Sequence, residues 1–315
     1  MKRKVIVGAA GSGTGFSAIT SLRKNWGGDV HIVAVDVNPR HLVTAALIAD
    51  AFIQAPPAAS ASFGDFLARE TADGDWHFMP LLPDELMSAS QALKDSACRN
   101  SYKLIGAEPG GALSLIDKLH LFGKLRSGGI ASPKTEIAMP DMHIRSTSVI
   151  KPRRGFGSKG VYHVGADGQF PRLDSFDDYI VQEHITGAEF TVDAFCDQSG
   201  GHVWTVCRER IEVKSGVSVK CRIFRDSEFD SMALKLAVLF GIRGAFCFQV
   251  IVSPTGPMLI DLNPRPGAGT SMSILTGNDF FAATFSLAFA EDYRKHFSAL
   301  SGDYYVTRQY VDFLS

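Results

Sequence analysis

Cysteine is scarce and unpaired in this 315-residue chain: Cys98, Cys196, Cys207, Cys221 and Cys247 are scattered, odd in number and free of any Cys-x-x-Cys. That pattern speaks against a disulfide frame or a zinc site. It fits free thiols in a reducing compartment, so a cytoplasmic enzyme is expected. Long apolar runs are lacking as well, and no stretch nears the ~20 residues of a membrane helix. The short apolar run after Met1-Lys-Arg-Lys breaks into Gly11-Ser-Gly-Thr-Gly15, which signals a strand and turn rather than the core of a signal peptide. Net charge is nearly absent at −1, which removes any global attraction to nucleic acid or anionic membrane. Low-complexity segments and internal repeats are missing. What remains is a globular composition, 45% hydrophobic and 21% charged, in a chain long enough for two or three subdomains.

The first 110 residues alternate strand and helix. Buried strands are expected at 4–7, 31–35, 51–54, 76–79 and 103–105, with helices from Phe16 and over 43–49. Such alternation predicts an open parallel α/β sheet. Ser114-Leu-Ile-Asp117 has capping-box spacing before a helix that runs to Gly128-Gly129. Beyond Pro133 the pattern changes to strand, hairpin, strand: 148–151 with 160–164, 191–196 with 202–207, and 245–252 with 258–261. One long helix from about Asp230 to Gly241 intervenes. The expected division is therefore 1–110, 111–185 and 186–315, with α+β subdomains after the parallel one.

Three motifs carry chemistry. Gly13-x-Gly15-x-x-Ala18, with Asp36 closing the next strand, matches the dinucleotide fingerprint. The match is weak, and plain turn geometry or a substrate or phosphate contact explains it better. In the second motif Lys151 ends a strand just before Gly155-x-Gly157-x-x-Gly160. Backbone N–H groups in such a loop can wrap phosphate oxygens while the ammonium offsets their charge. No Gly-Lys-Ser/Thr follows, so this is no Walker loop. The kinase order is reversed, and kinase catalytic motifs are missing. A surface hairpin with solvated Arg153, Arg154 and Lys159 is the bland reading.

The third motif is a hairpin around Ser253-Pro-Thr-Gly-Pro257. With residues 254–256 as its loop, Ser253 faces Pro257 and Gln249 faces Asp261, while Asn263 shares that face. A one-residue change of turn would break this pairing. Three oxygen-bearing side chains then converge, as a hard cation such as Mg²⁺ requires, or form a hydrogen-bonded polar cluster. Arg265, between two prolines, is suited to an anion or is simply a surface arginine. Between the motifs, Glu189, Thr191 and Asp193 alternate on one strand face.

In this order the motifs resemble the ATP-grasp superfamily, especially stand-alone members similar to one half of the carbamoyl-phosphate synthase large chain. The supporting segments are Asp117-Lys118, Val149-Ile-Lys-Pro152, Gly155–Gly160, Gln182-Glu183 with Gly187-x-Glu189, and Gln249 with Asp261-Leu-Asn-Pro-Arg265. The resemblance covers essentially the whole chain and makes residues 1–110 a pre-ATP-grasp domain. It implies that Lys118 and Lys151 contact ATP phosphates under a lid containing Gly155, Gly157, Ser158 and Gly160. Glu183 and Ile185 would hold adenine and Glu189 the ribose. Gln249, Asp261 and Asn263 would hold one or two Mg²⁺ ions, with Mn²⁺ as a substitute, and Arg265 would steady the transferred phosphate. Arg210 and Lys214 are candidate phosphate or substrate contacts, set against a solvated strand.

The family usually has glutamate where this chain has Asp261, which puts the second metal in question. The implied reaction is ADP-forming: a carboxylate becomes an acylphosphate that an amine or similar nucleophile attacks. Small carboxylate and amine partners are thus expected, with no nucleic acid or membrane, and homodimerisation as in relatives. The rivals are a nicotinamide-dependent oxidoreductase and a non-catalytic nucleotide-binding protein.

Overall fold

The computed structural model describes residues 2–94, 101–106, 114–140, 142–155 and 160–314. Gly157 and Ser158 of the expected lid, and Cys98, lie outside the described residues. The first sheet gathers β1 (Arg3–Val7), β2 (Val30–Asp36), β3 (Ala51–Gln54), β4 (Trp76–Met79) and β5 (Tyr102–Leu104) in the order β3-β2-β1-β4-β5. Every pairing is parallel. Parallel strands need crossovers. These come from α1 (Gly13–Trp26), α2 (Ser62–Glu70) and α3 (Pro83–Ala92). The helix expected over 43–49 is instead two 3-10 turns, Arg40–Leu42 and Thr44–Leu47. Val43 between them is extended and fully buried, so core burial interrupts the helical ladder.

A second helix group begins at α4 (Lys118–Ser127). Its N-cap is Asp117, which accepts from the Leu119 N–H at 2.9 Å. The capping box read from Ser114 is therefore corrected: the carboxylate expected at the third helical position is itself the cap. Next come β6 (Thr135–Ile137), β7 (Ser148–Pro152), β8 (Tyr162–Val164) and β9 (Tyr179–Glu183), an antiparallel sheet ordered β6-β9-β7-β8.

The third sheet holds β10 (Ala188–Cys196), β11 (Val203–Lys214), β12 (Val217–Phe224), β13 (Gly244–Ser253), β14 (Gly256–Asn263) and β15 (Tyr304–Thr307), ordered β14-β13-β10-β11-β12-β15. Between β12 and β13 runs α5 (Ser227–Phe240), capped by Asp226 and stopped by Gly241 in the left-handed region. Its buried face joins Leu121 and Leu125 of α4 against Phe190, Val192, Phe246 and Phe248. One face of this sheet is thus committed to the core. Because side chains alternate along a strand, Glu189, Thr191, Asp193, Gln249 and Asp261 point the other way. After β14 the chain forms a short α6 (Ser271–Ile274) and then α7 (Phe280–Ala288). Phe281 and Phe285 of α7 enter the core of the parallel sheet, while Phe280 and Ala283 pack with Phe195 and Val206 of the third sheet. One apolar helix therefore bridges both.

Candidate functional site

The hairpin of β13 and β14 sets the first part of the site. Cys247 pairs with Asn263, Phe248 with Leu262 and Gln249 with Asp261. Toward the turn the register slips: Val250 pairs with Leu259 and Ser253 with Gly256. The expected three-residue loop is thus one residue too long, because the pairing already closes at Gly256. A bulge that leaves Ile260 unpaired restores the register. The two departures cancel, and Gln249 does face Asp261. Asn263 donates its amide to Asp261 Oδ2 at 2.9 Å. Ile260 at the bulge turns its carbonyl toward Lys151 Nζ, 3.4 Å away.

Lys151 reaches this hairpin from β7, its ammonium 5.1 Å from the centre of the Phe122 ring. Burial pushes its pKa down to about 8; Asp261 pulls it up and Lys118 pushes it down further. Lys118, at the first position of α4, donates to the Gly155 carbonyl at 2.9 Å, and its backbone N–H donates to the Arg153 carbonyl at 2.9 Å. Burial lowers its pKa too, against the pull of Asp261 and Asp117. Arg153 is not a solvated decoration. Its guanidinium clasps Asp117, the cap of α4, and so locks the end of β7 to the helix that carries Lys118.

Two half-buried ammonium groups therefore share the carboxylate of Asp261, since Asp117, which also draws on Lys118, is taken by Arg153. Arg265 adds a third positive charge; its only hydrogen bond within the described residues goes to the Pro266 carbonyl, 3.0 Å away. Desolvated like charges with one counter-charge are costly, and a polyanion relieves that cost. No group of three His, Cys, Asp or Glu capable of holding a metal occurs among the described residues. One carboxylate with two amides from Gln249 and Asn263 is a sparse set for Mg²⁺, which prefers to complete its oxygen shell from phosphates. The residues present fit a metal–polyphosphate pair better than a free ion.

The remaining expected residues lie at the junction of the sheets. Glu183 ends β9, exposed, its backbone N–H donating to Lys134 O at 2.9 Å. Ile185 follows in the irregular link before β10. Glu189 is not free: Arg210 Nε lies 2.9 Å from its carboxylate. That nitrogen has no aligned acceptor, so the contact is an ion pair rather than a directed hydrogen bond. Arg210 also donates to Thr191 Oγ1 and the Gly216 carbonyl at 3.3 and 3.1 Å. Lys214 sits at the far end of β11 beside Glu212, away from the lysine pair.

Sequence reasoning missed what anchors the Arg265 loop. Arg208 is fully buried and makes two hydrogen bonds to Asp193, at 2.7 and 2.9 Å. The hydroxyls of Thr270 and Ser273 each donate to the same carboxylate at 2.7 Å. Gly269 presses on this guanidinium, where a Cβ would come within 2.2 Å of Nη1. Arg308 holds Ala268 O and Ser271 Oγ at 3.0 and 2.8 Å. The alternation of Glu189, Thr191 and Asp193 was the available signal. Its partner on β11 emerges only from strand pairing.

The first glycine turn has a different duty. Asp36 accepts from Gly11 N–H at 2.8 Å and from both nitrogens of Asn38 at 2.9 and 2.8 Å. A Cβ at Gly15 would meet the Ala9 carbonyl at 2.5 Å. Asp36 is occupied in closing the turn, and the nicotinamide reading finds no support. Glu85 ties this turn to the next strand end, accepting from Ala9, Leu81 and Leu82 N–H groups at 2.8, 2.8 and 3.1 Å. Burial raises its pKa to about 7 despite those donors.

Between the segment around Pro80–Met87 and the Asp261–Pro266 loop lies a cavity of about 350 Å³. Lys118, Gly155, Asp261, Asn263 and Arg265 all line it. Its lining runs from Lys118 to Met79 and Ile105, at the ends of β4 and β5 of the parallel sheet.

A family model described as an ATP-grasp domain matches residues 115–269. No curated protein matches the chain. Among solved structures, the biotin carboxylase domain of Hydrogenobacter thermophilus 2-oxoglutarate carboxylase, in complex with MgADP, ADP and bicarbonate, is similar at 14% identity and TM-score 0.72, over 92% of this chain and 70% of that one. Thermotoga maritima N5-carboxyaminoimidazole ribonucleotide synthetase is similar at 15% identity and TM-score 0.69, over 93% and 77%. Rhizobium etli pyruvate carboxylase gives 14% identity and TM-score 0.72, over 91% of this chain. The chain spans only 28% of that protein's length. At these identities the likeness concerns the fold, a parallel sheet followed by antiparallel ones.

Proposed function

We propose that the chain, whose residues 115–269 match an ATP-grasp domain, is an ATP-grasp enzyme: an ADP-forming ligase that activates a small carboxylate. The observation that carries this reading is the charge deficit at Asp261. Lys118, Lys151 and Arg265 gather near Asp261, while Asp117, the other carboxylate that draws on Lys118, is already paired with Arg153, and a cavity for a second ligand adjoins. Lys118 and Lys151 bind the phosphates, with Gly155 and Gly160 flanking the segment outside the described residues. Glu183 and Ile185 flank adenine, and Glu189 takes the ribose while Arg210 holds it in place. Gln249, Asp261 and Asn263 would hold Mg²⁺, which when bound would supply positive charge beside the terminal phosphate.

A carboxylate oxygen bonds to the γ-phosphorus, the bond to the β-phosphate bridge breaks, and ADP leaves. An amine then adds to the acyl carbon and phosphate departs. The chain's own groups position and neutralise; Arg265 faces the charge that develops on the transferred phosphoryl. The reading extends to one or two Mg²⁺ ions, with Mn²⁺ able to substitute, and to a cytoplasmic homodimer. No helix among the described residues is long and apolar enough to cross a membrane. Lys151→Ala is expected to abolish ATP turnover in a folded protein. Near-normal ADP release by that variant, with an unchanged circular dichroism spectrum, would remove Lys151 from the site.

A further inference from the structure

The cavity beside the lysine pair has two unlike poles. At one, Lys118, Arg154, Asp261, Asn263 and Arg265 belong to the phosphate and metal side. The rest of the lining comes from the end of β4 and the start of α3, Met79, Leu82, Pro83, Leu86 and Met87, together with Ile105 and Leu115. These side chains are apolar, and Asp84 is the exception among them. Asp84 lies in the first turn of α3 and forms no hydrogen bond or ion pair with another described residue. Its neighbour Glu85, by contrast, turns away to accept three backbone N–H groups.

A helix N-terminus alone favours an acid there. Here the same acid also lines a cavity whose far end carries an arginine. An anionic group beside Asp84 would be repelled, and a sugar or polyol would leave its hydroxyls against methionine and leucine side chains. At about 350 Å³ the space is at the small end of ligand cavities, which span roughly 300–1,000 Å³.

We propose that the acid activated here is a compact amino-carboxylate: its carboxylate at Arg265, an apolar body along Leu82, Leu86 and Met87, and a protonated amine at Asp84. The inference rests on the carboxylate-activation reading and gives it a substrate class. The amine at Asp84 is held by its charge and is not the nucleophile, since Asp84 belongs to the Pro80–Met87 segment and not to the Asp261–Pro266 loop.

The test measures ADP and phosphate release with MgATP and three sets of acids of similar size. These are apolar amino-carboxylates, the same skeletons without the amine, and dicarboxylates. The wild-type protein is expected to favour the first set over the others by at least about tenfold in kcat/KM. Asp84→Asn is expected to erase the preference for the amine. Met87→Lys, which places a cation beside Asp84, is expected to move selectivity toward dicarboxylates. Calorimetric binding of MgATP to the same samples reports on the nucleotide site separately, and its loss in the wild type would count against the ligase reading itself. Retained MgATP binding with dicarboxylates preferred, or with no amino-carboxylate turned over, overturns the substrate assignment alone. So does an Asp84→Asn variant with wild-type selectivity.

Discussion

Lys151 shows how much one side chain can be asked to do by its surroundings. Burial holds its pKa near 8 when no phosphate is present. An ammonium that loses its proton so easily becomes a proton acceptor when an anion arrives. Nucleotide binding at pH 8 to 9 should therefore take up protons, and affinity should weaken as pH rises above about 8. Calorimetry in buffers of different ionisation enthalpy measures the uptake directly. The sign for stability is opposite. The folded pKa lies below the unfolded value of 10.5, so between about 8 and 10.5 the unfolded chain binds more protons, and this group adds stability as pH rises. A bound polyanion should flatten that gain in a pH series of thermal melts. Asp261→Asn leaves two ammoniums facing an amide; activity should fall by about 10²-fold or more, measured as kcat with saturating Mg²⁺.

At the scale of elements, the loop that follows β14 is held by the buried Asp193–Arg208 pair. Removing one partner of such a pair costs about 3–5 kcal/mol because the other stays charged and buried. Arg208→Met should lower the urea midpoint accordingly, and surviving folded protein should lose kcat more than ATP affinity as Arg265 loses its anchor. Gly187, in the link before β10, leaves no room for a Cβ, which would sit 2.1 Å from the Val252 carbonyl. Gly187→Ala should destabilise the protein, read in the same denaturation experiment.

These elements also show what could be read from the sequence. The parallel strands, the Lys151 hairpin and the Gln249–Asp261 pairing follow from periodicity and turn residues. The pairing holds although the turn was counted one residue too long, because the bulge at Ile260 absorbs the difference. β12 was missed despite its alternation, although Ser215 and Gly216, both with positive φ, make the tight turn a hairpin favours. β15 was missed because a four-residue edge strand carries little signal of its own. The Asp193–Arg208 pair and the true cap of α4 depend on which strand or helix lies opposite, and local pattern does not encode that.

Across the whole molecule, α7 ties the sheet of β10 to β15 to the parallel sheet whose strand ends help line the cavity. Asp279 caps α7 through the Ala282 N–H at 3.0 Å and accepts from Ser21 Oγ of α1 at 3.0 and 2.9 Å. Asp279→Ala should cost about 2 kcal/mol from the lost cap and buried hydrogen bond, seen as a lower urea midpoint. The two sheets serve one reaction only if nucleotide and acid meet between them. Trapping with hydroxylamine tests this directly, since an acylphosphate yields a hydroxamate. The account predicts hydroxamate only when ATP, Mg²⁺ and an acid are all present, with ADP formed in step. ADP formed equally without acid, and no hydroxamate from any acid tried, would contradict it.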